Sequence, residues 1–68
     1  MTVEETQALL RLLGWSPLTR KRFNRDYLYA ARMSRPIRTE VYIAPIAQLE
    51  FMTPAMILAK LPKTQSGQ

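Results

Sequence analysis

Arginines are interleaved with tyrosines and aliphatic residues between Arg25 and Pro45, in the run RDYLYAARMSRPIRTEVYIAP. Arginine is the side chain best matched to phosphate, because its planar guanidinium can donate two parallel hydrogen bonds to one anion. An exposed tyrosine offers an aromatic ring on which a nucleic-acid base can stack. The residue types of this run therefore indicate contact with a polyanion rather than a chemical reaction.

The basic residues are concentrated in the middle of the chain. Residues 16–38 contain seven basic side chains and one acid, Asp26, so this segment has a net charge of +6 within a chain of net charge +5. A localised positive field attracts nucleic acid or an acidic protein surface. The candidate nucleic-acid-binding residues are these seven and one tyrosine that follows them: Arg20, Lys21, Arg22, Arg25, Arg32, Arg35, Arg38 and Tyr42.

The side chains on which most enzymes and metal sites depend are missing. The 68 residues include no cysteine and no histidine, which removes the usual nucleophile–base pairs and the commonest metal ligands. No glycine-rich phosphate-binding loop is present, and the acids near the arginines are expected to form salt bridges. We therefore expect a protein that is not an enzyme and that uses neither a cofactor nor a metal.

A helix is predicted at the start of the chain. Thr2 and Glu5 have the spacing of a capping box, and apolar residues recur at helical spacing over residues 3–13. Gly14 can adopt the left-handed conformation that commonly ends a helix. The following residue, Trp15, is expected to fold back on the core.

Three segments after the helix have the alternation of β-strands. Residues 18–25 alternate only weakly and could be an extended loop or a short edge strand. We favour the edge strand, since lysine and arginine on an edge discourage unwanted sheet pairing. Residues 26–33 and 37–44 are rich in β-branched and aromatic residues and favour the two strands of a hairpin. In the first of these strands Tyr27 and Tyr29 belong to the apolar set and are expected to face the core.

The register of the hairpin is predicted from the parity of its apolar residues. A three-residue connection, residues 34–36, places Met33 opposite Ile37 and brings both apolar sets to one face, with a five-residue loop as the alternative. On the other face this register puts Arg32 directly opposite Arg38, where a bound phosphate would relieve their repulsion. A two-residue turn would put the two apolar sets on opposite faces.

Short helices are predicted to end the fold. A helical turn follows the sheet, and Thr53 and Pro54 then suit the N-cap and the first position of another helix. The fold class is α+β, with an N-terminal helix, a two- or three-stranded antiparallel sheet built on a basic hairpin, and one or two short C-terminal helices. Residues 1–62 are expected to form one small domain, and residues 63–68 a disordered tail.

The hairpin also has a recognisable pattern: Tyr-x-Tyr-x-x-Arg, a turn, and Arg-x-x-x-Tyr-Ile-x-Pro. Residues 27–45 follow it with Tyr27, Arg32, Arg38 and Pro45 among the matching positions. In this respect the segment resembles the basic Tyr/Arg β-hairpin of small proteins from phage, plasmids and transposons. The resemblance supports the assignment of a basic hairpin.

Two functions fit these observations. The first is a small nucleic-acid-binding module, in which the basic residues of the edge strand hold the backbone and the three hairpin arginines enter a groove of DNA or RNA. The alternative is a protein–protein interaction module, such as an adaptor, assembly factor or inhibitor, whose basic face docks on an acidic partner. Such a module should expose an apolar patch drawn from Ile46, Phe51, Met52 and Met56. A homodimer that pairs sheet edges is compatible with both.

A cytoplasmic location is the expectation from the same sequence. No uncharged run approaches the roughly 20 apolar residues that a membrane span requires. The first residues are acidic where a secretory signal would be basic. We therefore expect no membrane partner.

Overall fold

The structure is a computed structural model, and it describes residues 1–62 of the chain. A three-stranded antiparallel sheet in the order β1-β2-β3 is flanked by helices, which confirms the predicted α+β class. The elements are α1 (Val3–Leu12), β1 (Ser16–Arg22), β2 (Arg25–Ser34), β3 (Ile37–Pro45), a 3-10 helix (Ile46–Phe51) and α2 (Pro54–Lys60). The predicted tail, residues 63–68, lies outside the described residues.

Local signals fix both ends of α1. The Thr2 hydroxyl accepts from the Glu5 N–H at 3.0 Å, and the Glu5 carboxylate accepts from the Thr2 N–H at 2.9 Å, so the capping box is formed. At the other end Gly14 has φ +90°, and the Trp15 N–H donates to the Leu10 carbonyl at 2.8 Å. This is the hydrogen bond of a Schellman motif, which satisfies a carbonyl that the helix leaves free.

One face of the sheet is packed against the helices. The largest fully buried apolar side chains come from both the sheet and the three helical segments: Leu10, Leu28, Ile43, Leu49 and Ile57. Trp15 is 4% exposed and belongs to the same core, as the sequence predicted. Because α1, α2 and the 3-10 helix all lie on this side, the opposite face of the sheet has no covering layer among residues 1–62.

The connection between β2 and β3 differs from the prediction. Ser34 pairs with Ile37, so the turn has two residues, Arg35 and Pro36, rather than three. The peptide bond between them is cis, which places the proline at the third position of a type VI turn. The prediction excluded a two-residue connection because it turns the two apolar sets of the hairpin to opposite faces.

This register turns the apolar sets of the hairpin to opposite faces. Leu28 and Ala30 are fully buried against the helices, while Tyr27 and Tyr29 are half-buried on the other side of the sheet. The prediction that these two tyrosines face the core is therefore wrong. Leu28 and Ala30, at even positions of β2, belong to the core instead.

A β-bulge in β3 adjusts the register once more. Leu28 pairs with Ala44, but the next residue, Tyr29, pairs with Tyr42, so Ile43 is the extra residue. Ile43 and Ala44 are consecutive, and both belong to the buried core on the helix side of the sheet. The bulge thus keeps two apolar residues in the core and still leaves Tyr42 beside Tyr29.

The remaining elements agree with the sequence. β1 is an edge strand, although it begins at Ser16 and ends at Arg22. The Thr53 hydroxyl accepts from the Met56 N–H at 3.3 Å and caps α2, with Pro54 in its first turn. Neither helix among the described residues has the length and apolar character needed to cross a membrane.

Gly14 provides a test of the helix end. Gly14→Ala should lower the free energy of unfolding by about 1 kcal/mol, because an L side chain disfavours the left-handed conformation. No atom lies within 4 Å of the added Cβ, so the loss comes from the backbone alone. Urea denaturation measures the change. Leu12→Ala, at an exposed position of the same helix end, is the control and should change the free energy of unfolding by less than about 0.5 kcal/mol.

Candidate nucleic-acid interface

The uncovered side of the sheet carries three tyrosines in mutual contact. Tyr29 and Tyr42 are directly opposed on β2 and β3, with ring centroids 5.5 Å apart in an edge-to-face arrangement. The ring centroids of Tyr27 and Tyr42 are 6.1 Å apart, and the two rings are tilted relative to each other. We call this surface the open face, and define it by Arg20, Arg22, Arg25, Tyr27, Tyr29, Arg38, Glu40 and Tyr42.

A carboxylate holds two of the arginines of the open face. Arg20 Nη2 donates to both oxygens of Glu40, at 2.7 and 2.8 Å, and Arg38 Nη1 lies 3.0 Å from Glu40 Oε2. The Arg20 guanidinium also lies 5.7 Å from the centre of the Tyr29 ring. Two guanidinium groups therefore share one carboxylate beside the tyrosines, and the group of three keeps a net positive charge.

Two other arginines face each other at one end of the sheet. Arg22 and Arg25 are directly opposed and close the two-residue turn between β1 and β2. Both are exposed, and no carboxylate of residues 1–62 lies within 4.0 Å of either guanidinium. The opposition of like charges that the sequence predicted for the second hairpin is thus present in the first.

The arginines of the second hairpin do not share one surface. Arg32 pairs with Thr39 on the helix side of the sheet, where its guanidinium lies 4.4 Å from the centre of the Trp15 ring. Arg38 is on the open face, and Arg35 is exposed in the turn. The predicted opposition of Arg32 and Arg38 is therefore wrong, because the two-residue turn places them on different faces.

The structure brings five of the eight predicted binding residues to one surface: Arg20, Arg22, Arg25, Arg38 and Tyr42. Lys21 points to the other face of β1 and lies 4.0 Å from Asp26. Sequence reasoning missed Tyr27 and Tyr29, since it assigned them to the core. The register of a two-residue turn would have indicated them, because it places Tyr27 and Tyr29 on the same face of the hairpin as Tyr42.

The ionisation of Tyr42 is affected by its surroundings. Partial burial raises the pKa of Tyr42 above its ordinary value of about 10, and the neighbouring Tyr27 and Tyr29 hydroxyls raise it further. The ammonium of Lys60 lies 6.0 Å from the centre of the Tyr42 ring. Near neutral pH this tyrosine is therefore an uncharged hydrogen-bond donor and adds no negative charge to the open face.

A second surface adjoins the open face at Tyr42. A groove of about 420 Å³ runs between β3 and α2, and we call it the apolar groove. Its exposed apolar side chains are Phe51, which is 75% exposed, and Met56, which is 46% exposed. Lys60 stands at the same groove and is its only basic lining residue among those described.

Arg32 should act as a structural residue. Arg32→Ala is expected to lower the free energy of unfolding by about 1 kcal/mol, because the guanidinium lies over the Trp15 ring. Arg35→Ala removes the same charge from the exposed turn and should have little effect. Denaturation followed by tryptophan fluorescence compares the two variants. Equal stability of both would show that the contact with Trp15 contributes nothing.

No family model matches this chain, and no match was found among curated proteins or solved structures. What the open face can bind must therefore be inferred from its own chemistry.

Proposed function

We propose that this protein is a small nucleic-acid-binding module, not an enzyme, and that its open face is the binding surface. The observation that carries the proposal is the cluster of three tyrosines bordered by four arginines on an uncovered sheet. Sheets that bind nucleic acid commonly present aromatic rings to the bases and cationic side chains to the phosphates. Both kinds of side chain occur here on one surface.

The charge of the open face supports a polyanionic partner. Its four arginines are accompanied by one carboxylate, Glu40, so the open face has an excess of positive charge. Lys60 adds a further cation beside Tyr42. Arginine-to-phosphate contacts release condensed counterions, which makes association favourable and strongly dependent on salt. The proposed contact surface is the sheet itself. Insertion of the second hairpin into a groove is less favoured, since its arginines point in different directions.

Binding to labelled oligonucleotides tests the proposal. Fluorescence anisotropy with DNA and RNA should show an affinity that falls about fiftyfold between 50 and 200 mM salt, if about four phosphates are neutralised on a single strand. Absence of binding to every oligonucleotide at 50 mM salt would refute the proposal. The DNA and RNA arms of the same titration show which of the two is preferred.

Glu40 gives a sharper test, because its loss should strengthen binding. Glu40→Gln frees Arg20 and Arg38 for phosphate and should raise the affinity for an oligonucleotide by roughly threefold to tenfold. Glu4→Gln changes the net charge equally but lies on α1, away from the open face. It should leave the affinity nearly unchanged. Equal effects of the two substitutions would indicate that net charge alone, and not this surface, controls binding.

A second candidate is a protein–protein interaction module, and the apolar groove is the observation that favours it. Of the four residues predicted to form an exposed patch, Phe51 and Met56 are exposed, whereas Ile46 is half-buried and Met52 is buried. Exposed apolar clusters of this kind often mark protein interfaces. A cytoplasmic location and a homodimer stay predictions for either candidate.

The two candidates can be separated with one further variant. If the protein is an interaction module that uses the apolar groove, a partner should co-purify with the parent and with Glu40→Gln but not with Phe51→Ser. The parent should then bind no oligonucleotide at low salt. Oligonucleotide binding that is unchanged by Phe51→Ser would favour the nucleic-acid-binding module instead.

A further inference from the structure

An aromatic residue occupies the tip of the turn between β1 and β2. Phe23 and Asn24 are its two central residues, with φ values of 51° and 65°. Positive φ at both positions is the signature of a type I′ turn, which favours asparagine and glycine. Asn24 fits this preference, whereas phenylalanine is an uncommon choice for a left-handed conformation.

The Phe23 side chain does not contribute to the core. Its surface is 90% exposed, so the ring buries almost no area in the folded protein. Its backbone conformation is one that a bulky side chain disfavours. A residue that neither packs in the fold nor suits its turn is best explained by a contact with another molecule.

The surroundings of Phe23 indicate what that molecule is. A cleft of about 420 Å³ lies beside the ring and is lined by Arg22, Phe23 and the three tyrosines of the open face. Arg22 and Arg25 flank the turn, directly opposed and without a carboxylate partner among residues 1–62. Like charges in this position repel each other, and an anion between them would reverse the effect. The site therefore combines an aromatic wall with a place for a phosphate.

We infer that Phe23 is a base-stacking residue for single-stranded nucleic acid, with a flanking phosphate held between Arg22 and Arg25. This inference rests on the proposed function and adds the form of nucleic acid that the open face accepts. In a duplex both faces of each base are covered by its neighbours, whereas an unstacked base leaves a face free for an aromatic side chain. A polyanion without bases would satisfy the arginines but would leave the Phe23 ring without a stacking partner.

Substitution at the turn separates stacking from folding. Phe23→Asn removes the ring and introduces a residue that the turn prefers, so the melting temperature should be unchanged or higher. Its affinity for single-stranded oligonucleotides should nevertheless fall about fivefold or more, since one stacked base contributes at least about that factor. Phe51→Asn is the matched control: it removes an exposed phenylalanine outside the open face and should leave the affinity unchanged.

Three ligands make the result specific. The parent should bind single-stranded DNA or RNA about tenfold more tightly than a duplex of the same sequence. Heparin carries negative charge without bases, so Phe23→Asn should bind it as well as the parent does.

Phe23→Trp should retain binding, and its fluorescence should be quenched when a base stacks on the indole. Trp15 gives a constant background, because it is buried on the other side of the sheet and out of reach of a bound base.

Several outcomes would overturn the inference. One is a Phe23→Asn variant that binds single strands as tightly as the parent; another is an equal loss of affinity for heparin. In either case the salt dependence and the Glu40→Gln result would still support the proposed function. If the parent binds no oligonucleotide at all, both the inference and the proposed function fail.

Discussion

The pairing of β2 with β3 decides which side chains of this small domain share a surface. Because successive side chains of a strand point to opposite faces, a change of one residue in the register exchanges the two faces of the hairpin. The two-residue turn at Arg35 and Pro36 sets that register. It places aliphatic and small residues of β2 under the helices and brings the three tyrosines together on the uncovered side. The core and the candidate site are therefore two results of the same pairing.

Some arginines of this domain contact other side chains of the fold, and others are available to a ligand. Arg32 covers Trp15 on the helix side, and Arg20 and Arg38 are held by Glu40. Within the described residues, Arg22 and Arg25 are the directly opposed pair of the sheet that has no such partner. A surface ion pair contributes at most about 1 kcal/mol, so the Glu40 contacts can be exchanged for phosphate at small cost. Arg20 and Arg38 are thus held in position before a ligand binds. Arg22 and Arg25 have no carboxylate to exchange for phosphate among the described residues.

Local sequence signals predicted the helices well and the sheet surfaces poorly. The capping box at Thr2, the left-handed Gly14 and the Thr53 N-cap each depend on a few neighbouring residues, and each is observed. The faces of the hairpin depend instead on a turn whose conformation the residue types did not specify. For that single reason the predicted faces of Tyr27, Tyr29 and Arg32 are wrong. The predicted pairing of Arg32 with Arg38 is wrong for the same reason. The basic character of the segment is a property of its composition and does not depend on register.

The β-bulge at Ile43 also affects how this sheet meets other chains. β1 and β3 are the two edges, and a regular edge strand offers a ladder of free backbone groups to which another strand can be added. At Ile43 the spacing of β3 is interrupted, and at the other edge Pro17 lacks an N–H to donate. These two positions interrupt the ladder at each edge, which disfavours extension into a long intermolecular sheet.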